Sequence, residues 1–443
     1  MIRRYRPHSA RLVDAALARA DAVFCDWRRL AIADRGRLMR AAGARLRRDA
    51  EAHARLMAEE MGKPLAQGRA EIEKCALLCD YYARNAAAFL APERPPEAPK
   101  NSAVCFQPLG VILAVMPWNF PYWQVLRAAA PALMAGNTVV LKHASNVCGC
   151  ALAIEKVFRQ AGLPAGAFQT LLVGSAAVPD LIRDPRVRAV TLTGSTAAGR
   201  QVAAAAGAAL KKCVLELGGS DPYVVLADAD LDEAAELGAQ ARLVNSGQSC
   251  IAAKRFVVVE KVRAAFERRL VERIAARQVG PPTEPGVEVG PLARADLRDE
   301  LHAQVRRSIR RGARLRLGGK PLPGPGWFYA PTVLTNVRPG MPAYTEELFG
   351  PVAAVIAAPD EAAALAVAND TPFGLGGAIF TRNRRRGRRL AVEELAAGLV
   401  FVNDFVRSSP PLPFGGVKQS GTGRELGVCG IREFVNIKTV VVA

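Results

Sequence analysis

The sequence lacks the features that would place the protein in a membrane or outside the cell. No apolar stretch approaches the roughly eighteen residues of a membrane-spanning helix. Residues 1–21 lack the apolar core and small-residue cleavage site of a secretory signal peptide. The nine cysteines are odd in number and scattered, which argues against a disulfide framework. These absences predict a cytoplasmic protein.

Metal ligands and acidic residues are also scarce. Cys148 and Cys150 form a C-G-C pair, but no second ligand pair follows at zinc-site spacing, and no metal site is predicted. Lysine and arginine total 60 against 41 acidic residues, which gives a formal charge of +19. That charge could serve nucleic acid, a membrane surface or small anionic ligands.

The arginines are spread along the chain. They recur in RNRRRGRRL (382–390) and in QVRRSIRRGARLRLGG (304–319), which we predict to be a helix with arginines on its exposed face. No basic strand with interleaved aromatic residues accompanies them. A solvated basic surface is therefore the favoured interpretation, with no nucleic-acid or membrane partner. A nucleic-acid-binding protein whose charge is the functional feature remains a further hypothesis.

The N-terminal region, from about residue 11 to 90, is predicted to be helical. Ile72, Cys75, Cys79 and Tyr82 recur at helical spacing and are expected in the core. After the proline-rich residues 91–99, short apolar strands alternate with helices through two successive units. This alternation predicts parallel sheets with helices on both faces and ligands at the carboxyl ends of the strands. The C-terminal strand has no obvious partner in the sequence.

Two motifs in the first unit follow predicted strands. TLTGSTAAGR (191–200) places Gly194 and Ser195 between a strand and a helix, where backbone amides could bind a pyrophosphate. The same residues could form an ordinary turn and helix cap. PWNFP (117–121) fixes Asn119 in a rigid turn, from which its amide could donate to an oxyanion or simply to its own turn.

A carboxylate and a cysteine are the candidates for reaction chemistry. Glu216 in LELGG ends an apolar strand and is either a general base or a paired structural charge. Cys250 in NSGQSC is either a nucleophile or a small buried side chain.

Seven motifs in one order give the sequence its resemblance to a known family. PWNFP, the strand end at Lys142, TGSTAAG, LELGG, GQSC, EELFGPV (346–352) and PFGGVKQSGTGRELG (413–427) resemble the signature set of the aldehyde dehydrogenase superfamily. The segments LKHASNVCGCALAIEKVF and KKCVLELGGSDPYVVL resemble its bacterial succinate semialdehyde dehydrogenases.

The resemblance implies an α/β fold with a parallel Rossmann-type cofactor domain, a second α/β catalytic domain and a small β oligomerisation arm. The cofactor domain would comprise residues 1–90 and 109–218, and the catalytic domain residues 219–426. Residues 91–108 and 427–443 would form bridging strands of a homodimer or homotetramer.

The resemblance also assigns roles to individual residues. Cys250 would be the nucleophile, Asn119 an oxyanion donor and Glu216 the base that activates water, so the product would be the free acid rather than an acyl-coenzyme A. Ser145 stands where NAD-specific relatives have glutamate, so NADP use is favoured, with NAD also possible. The implied cofactor contacts are Trp118, Lys142, Ser145, Gly194, Ser195, Glu347 and Phe349. His143 is interpreted as a packing residue.

The substrate end of the resemblance is incomplete. Arg127, eight residues after Asn119, matches an arginine that binds the substrate carboxylate in succinate semialdehyde dehydrogenases, and Ser409 would also contact that carboxylate. Val244 replaces a second arginine, and Arg407, next to Ser408, is a candidate to compensate. A short ω-carboxylated aldehyde is the first substrate hypothesis. The alternative is a broad-specificity aliphatic aldehyde dehydrogenase, in which Arg127 does not reach the substrate. Arg127 could also be a surface ion-pair residue.

Overall fold

The computed structural model describes residues 4–442. Its helices are α1 Ala10–Trp27, α2 Ile32–Arg48, α3 Ala50–Met61, α4 Leu65–Phe89, α5 Trp123–Ala135, α6 Cys148–Gln160, α7 Val178–Arg183, α8 Thr196–Ala208, α9 Leu231–Leu243, α10 Glu260–Ala275, α11 Ala295–Arg310, α12 Pro342–Thr345, α13 Glu361–Asn369, α14 Arg384–Glu393 and α15 Gly427–Arg432. Short 3-10 turns span Ser175–Ala177, Val244–Gly247 and Lys418–Ser420.

The strands alternate with these helices over most of the chain, as predicted. They are β1 Ser102–Pro108, β2 Val111–Met116, β3 Thr138–His143, β4 Phe168–Leu171, β5 Val187–Thr193, β6 Lys212–Glu216, β7 Asp221–Val225, β8 Ala253–Val259, β9 Arg314–Leu317, β10 Thr332–Thr335, β11 Val352–Ala358, β12 Gly376–Phe380, β13 Leu399–Val402, β14 Gly421–Thr422 and β15 Val435–Val441.

The first sheet has the strand order β14-β6-β5-β2-β3-β4, and all its pairs are parallel except β14 with β6. Alternate residues of β2 enter two different cores. Ile112 and Ala114 pack towards α4, α5 and α6, whereas Val111 and Leu113 pack towards α1, α7 and α8. Helices therefore cover both faces, which confirms the predicted α/β fold. The carboxyl ends of β2, β3, β5 and β6 lie at one edge of this sheet.

The second sheet has the order β13-β12-β7-β8-β11-β10-β9, with β9 antiparallel at one edge. Residues 421–422, which the predicted boundaries place in the catalytic domain, form β14 and extend the first sheet through the pairing of Gly421 with Glu216. This crossing brings the glycine-rich C-terminal motif against the end of β6. The domain boundaries themselves remain a prediction.

The C-terminal strand does have a partner within the chain. β15 pairs antiparallel with β1, from Ser102 opposite Val441 to Pro108 opposite Val435. The pairing joins segments more than 300 residues apart, so local sequence pattern could not reveal it. Several apolar side chains of β15 remain exposed, among them Ile437 (64%) and Val441 (60%).

The long helix predicted over residues 304–319 is wrong in its second half. α11 ends at Arg310, and Gly312 (φ 104°) takes the left-handed conformation that commonly follows a helix. Residues 314–317 then form β9. The predicted core positions Ile72, Cys75, Cys79 and Tyr82 on α4 are confirmed, since all are fully buried. Within residues 4–442, no helix combines the length and apolarity needed to cross a bilayer.

Candidate active site

The loop that carries Cys250 has an unusual backbone. Asn245, Ser246 and Gly247 all have positive φ, at 54°, 55° and 76°. Non-glycine residues in this region cost about 1–3 kcal/mol each and persist only where surrounding contacts hold them. At Gly247 a Cβ atom would lie 2.4 Å from the backbone of Gly350, so only glycine allows the loop to meet the EELFGPV segment.

Buried side chains hold the carbonyl groups of this loop. Arg242 Nη2 donates to the Gly247 carbonyl at 2.6 Å. Lys254 Nζ donates to the carbonyls of Ser249 (2.9 Å) and Cys250 (2.8 Å). The side-chain amide of Asn245 donates to the backbone carbonyl of Asn119 at 2.7 Å. The nucleophile candidate is therefore fixed by contacts on both sides of it.

Cys250 is a half-buried residue whose thiol lies among charged groups. Burial raises its pKa to about 12, although Arg127 and then Lys254 oppose this effect. The sulfur is thus a thiol near neutral pH, and nucleophilic attack requires removal of its proton.

Asn119 is adjacent to this loop. Its Nδ2 donates to the Gln248 carbonyl at 3.0 Å, and its side chain is buried. An amide nitrogen has two hydrogens, so one remains for an acceptor at Cys250. The structure thus brings Asn119 and the Cys250 loop together, as the oxyanion hypothesis requires.

The Glu216 carboxylate is buried at the end of β6, and neither of its oxygens has a hydrogen-bond partner within the described residues. Burial, and then the neighbouring Glu425 carboxylate, raise its pKa well above the usual range. A Cβ atom at Gly415 (φ 155°) would lie 2.7 Å from Glu216 Oε1, so glycine in PFGG leaves room for this carboxylate. A buried carboxyl with raised pKa is suited to accept a proton near neutral pH.

Arg127 lies between the carboxylates and the thiol. It is buried on α5, forms an ion pair with Glu425 and has its guanidinium carbon 4.4 Å from the centre of the Phe414 ring. Its charge opposes the rise that burial causes in the pKa of both Glu216 and Cys250. The alternative that Arg127 is a surface ion-pair residue is therefore wrong. A direct contact with substrate remains a prediction.

The predicted cofactor residues gather at the strand ends of the first sheet. Ser195 caps the N-terminus of α8 by accepting from the Ala198 amide at 3.3 Å, and the Gly194 amide donates to the Glu216 carbonyl at 2.9 Å. Trp118 and Phe349 meet edge to face with 5.8 Å between ring centres. Glu347 accepts from the Gly219 amide at 3.2 Å and lies 3.3 Å from Lys254 Nζ.

Lys142 and Ser145 lie near the end of β3. Lys142 Nζ forms no ion pair with any residue between 4 and 442. Ser145 is exposed and lines a cavity of about 870 Å³. Glu60 also lines this cavity, but its carboxylate is occupied by the amides of Gly149 (2.7 Å) and Cys150 (2.9 Å). His143 is buried and contacts the Pro121 carbonyl through Nε2 at 3.0 Å, which confirms it as a packing residue.

The positions considered for binding the substrate carboxylate lie further apart than the cofactor residues. Val244 lies at the end of α9, and Arg407 is half exposed and paired with Asp404 at 2.6 Å. The Ser409 hydroxyl forms no hydrogen bond within residues 4–442. Ser408 is buried and accepts a hydrogen bond from Lys74 on α4 at 2.8 Å.

Comparison with known sequences decides the family. The sequence model described as the aldehyde dehydrogenase family matches residues 1–440. The chain belongs to this family. It is 52% identical over 435 residues to a Mycobacterium tuberculosis protein named succinate-semialdehyde dehydrogenase (NADP(+)) 1, covering 97% of this chain and 95% of that protein. It is 50% identical to a probable succinate-semialdehyde dehydrogenase (NADP(+)) of Synechocystis, with coverage of 98% and 96%.

Solved structures agree with this assignment. The succinic semialdehyde dehydrogenase of Streptococcus pyogenes, crystallised in complex with NADP+, superimposes with a TM-score of 0.96 at 36% identity. The match covers 99% of this chain and 97% of that one. This aldehyde dehydrogenase therefore has the fold that the motifs predicted.

Several residues of the dehydrogenase site were missed in the sequence. Arg242 lies eight residues before Cys250 and Lys254 four residues after it, and no motif marks either of them. Glu425 lies inside the recognised GRELG segment, and a lone acid among glycines could have drawn notice. Lys74 is one polar residue of an amphipathic helix, and nothing in its local pattern sets it apart.

The site also offers a cation and a helix N-terminus that could bind the charged groups of a nicotinamide dinucleotide. Lys142 is a cation without an acidic partner in the described chain, and α8 presents its N-terminus beside Ser195. Apart from the two chain neighbours of Gly194, the described residues place only side-chain atoms of Leu192 and Ala198 within 4 Å of a Cβ at this position, so the backbone there is open to a close-lying ligand. Among residues 4–442, no three histidine, cysteine or acidic side chains are grouped as a metal site.

Proposed function

We propose that this aldehyde dehydrogenase oxidises succinate semialdehyde, or a similar short ω-carboxylated aldehyde, to the carboxylic acid with NADP+ or NAD+. The observation that carries the proposal is the set of cations at the site: Arg127 is buried and its charge acts on both Cys250 and Glu216, and Lys74 forms no ion pair within residues 4–442. The relatives named above support the same substrate and favour NADP.

Cys250 would form the first covalent bond. Its sulfur would attack the aldehyde carbon after losing its proton to solvent, and the carbonyl oxygen would become the oxyanion of a thiohemiacetal. The free hydrogen of the Asn119 amide and the Cys250 backbone N–H would donate to that oxyanion. Bound NADP+ or NAD+ would supply the hydride acceptor for the former aldehyde carbon, and Cys250 would then carry the thioester.

Glu216 would complete the reaction by hydrolysis. Its carboxylate takes a proton from water, the resulting hydroxide attacks the thioester carbon, and the carbon–sulfur bond breaks to release the acid. The buried, unpartnered carboxylate with raised pKa suits this role. The net change is consumption of one aldehyde, one water and one oxidised cofactor, with release of the carboxylate, the reduced cofactor and two protons.

Cofactor binding would involve Lys142 and Ser145 at the adenosine ribose, Gly194 and Ser195 at the pyrophosphate, and Trp118, Glu347 and Phe349 at the nicotinamide. Ser145 is exposed at a roomy cavity and carries no charge. It would not repel a 2′-phosphate, so NADP+ is favoured over NAD+.

A broad-specificity aliphatic aldehyde dehydrogenase is the second candidate. The ion pair between Arg127 and Glu425 favours it, because that pair already neutralises the cation expected to bind a carboxylate.

Steady-state kinetics separate the two candidates. We would measure kcat/KM for succinate semialdehyde, glutarate semialdehyde, butanal and benzaldehyde, each with NADP+ and with NAD+. The proposal predicts the highest value for succinate semialdehyde with NADP+. Equal values for succinate semialdehyde and butanal would favour the broad-specificity enzyme.

We further propose a cytoplasmic homodimer or homotetramer built through the β1–β15 ribbon. Exposed Ile437 and Val441 on the ribbon support self-association, because isolated apolar strands need cover. Residues 1–90 and 109–218 would form the cofactor domain and 219–426 the catalytic domain. Sedimentation of an Ile437→Glu, Val441→Lys double variant tests the interface; an unchanged assembly would exclude it.

A further inference from the structure

Lys74 is a cation with no acidic partner at the substrate end of the site. Its Nζ donates to Ser408 Oγ at 2.8 Å and lies 4.2 Å from the centre of the Trp123 ring. It forms no ion pair with any residue of the described chain. An ammonium group has three hydrogens, and the serine takes one of them.

The neighbouring acids are all engaged elsewhere. Glu71, one turn earlier on α4, pairs with Lys63 and accepts from the amides of Tyr122 and Trp123 at 2.9 Å. Glu73 pairs with Arg47, and Asp404 pairs with Arg407. None of these three acidic side chains is therefore available to neutralise Lys74.

The surroundings of Lys74 are positive rather than negative. Burial, and then the charge of Arg127, lower its pKa to about 8; Cys75 and Glu71 oppose this decrease, and Arg407 adds a smaller lowering effect. A partly buried cation facing other cations is favourable only where an anion joins it.

Helix α4 also links Lys74 to the loop that follows Val244. Gln67 lies on the same face of α4, and its side chain accepts a hydrogen bond of 2.6 Å from the backbone amide of Asn245, the residue after Val244. Lys74 is seven residues, or about two helical turns and 10 Å, further along that face. One face of α4 thus runs from the cysteine loop to the serine loop that includes Ser409.

We infer that Lys74 is the residue that binds the substrate carboxylate, together with Ser408 and Ser409. The inference rests on the proposed function, and it makes Lys74 the replacement for the arginine absent at position 244. Arg127 then serves the reacting end through its pairing with Glu425 and its charge on Cys250 and Glu216.

The test compares two four-carbon aldehydes in matched variants. Succinate semialdehyde ends in a carboxylate and butanal in a methyl group. We expect Lys74→Met to lower kcat/KM for succinate semialdehyde by about tenfold to a hundredfold, the value of one charge-assisted hydrogen bond, with butanal turnover nearly unchanged. Lys74→Arg should retain most of the preference. Lys261→Met, which removes an exposed lysine on α10, is the matched control and should behave as wild type.

The outcomes distinguish the inference from the proposed function. A wild-type preference for succinate semialdehyde that survives in Lys74→Met overturns the role of Lys74 alone. A wild-type enzyme without that preference overturns the proposed substrate and Lys74 with it. Butanal turnover reports correct folding of the variant, and Lys74→Gln provides a second neutral substitution if Lys74→Met fails to fold.

Inhibition by succinate gives an independent readout. We expect succinate to compete with butanal in the wild type, with an inhibition constant that rises about tenfold or more in Lys74→Met. Its affinity should also fall as the pH increases through about 8, because the lysine loses its charge. Equal inhibition of wild type and Lys74→Met would contradict the inference.

Discussion

The two ends of the candidate site are built in different ways. At the reacting end, three successive left-handed residues precede Cys250, and Arg242 and Lys254 bind the carbonyls of its loop. At the carboxylate end, Lys74 and Ser408 come from separate segments and act through their side chains, and Arg127 lies between the two ends. The reaction chemistry thus depends on a fixed backbone around Cys250. Recognition of the carboxylate depends instead on a few side chains from separate segments.

The reacting end should be the less tolerant of substitution. Cys250→Ala removes the sulfur that forms the covalent intermediate, so we expect kcat to fall by at least about 10⁴-fold for every aldehyde. Cys429→Ser, at an exposed cysteine, should leave kcat unchanged. Substantial dehydrogenase activity in Cys250→Ala would contradict the assignment of Cys250 as the nucleophile at the reacting end.

Glu216 separates the two chemical steps at that end. Glu216→Gln should form the thioester but hydrolyse it about 10²- to 10⁴-fold more slowly, because water loses its base. Rapid mixing should then show a burst of one reduced cofactor per site followed by slow turnover.

The same residue predicts a pH dependence. Burial raises the pKa of Glu216, and the deprotonated form is the base, so wild-type hydrolysis should accelerate as the pH rises through that raised pKa. The Glu216→Gln variant should lack this rise. A normal steady-state rate in the variant would assign the base elsewhere.

Arg127 connects the two ends, and its loss should affect stability as well as activity. Arg127→Met leaves the buried Glu425 without its partner, so we expect a decrease of about 3–5 kcal/mol in the free energy of unfolding. The Arg127→Met, Glu425→Gln double variant should recover much of this loss. Urea unfolding of the two proteins measures the difference; identical midpoints would mean that the ion pair contributes little.

The cofactor side should show the smallest effect. Ser145→Glu places a carboxylate beside the expected 2′-phosphate, so we expect kcat/KM for NADP+ to fall about tenfold to a hundredfold relative to that for NAD+. Ser145→Gln has similar size without charge and serves as the control. A shift of equal size in both variants would indicate crowding rather than charge.

The difference between the two ends also explains what could be predicted from the sequence. Cys250, Asn119 and Glu216 stand in local motifs because glycines and prolines next to them set the backbone. Gly247 and Gly415, for example, are required by close approaches of 2.4 Å to Gly350 and 2.7 Å to Glu216. The alternation of strands and helices similarly predicted both sheets.

The remaining features depend on contacts between distant segments. Lys74 and Ser408 are 334 residues apart, and β1 and β15 pair across most of the chain. The ion pair of Arg127 joins α5 to the C-terminal motif. Local sequence patterns do not indicate such long-range contacts. The role of Lys74 and the partner of β15 therefore could not be predicted, and Arg127 could not be recognised as buried.

The most direct test of the account is the wild-type ratio of kcat/KM for succinate semialdehyde and butanal at saturating NADP+. The two aldehydes have the same chain length and differ only at the end that the cations are proposed to bind. We predict a ratio of at least about ten, which corresponds to a charge-assisted hydrogen bond. A ratio of one or below would contradict the assignment of a carboxylate-binding end.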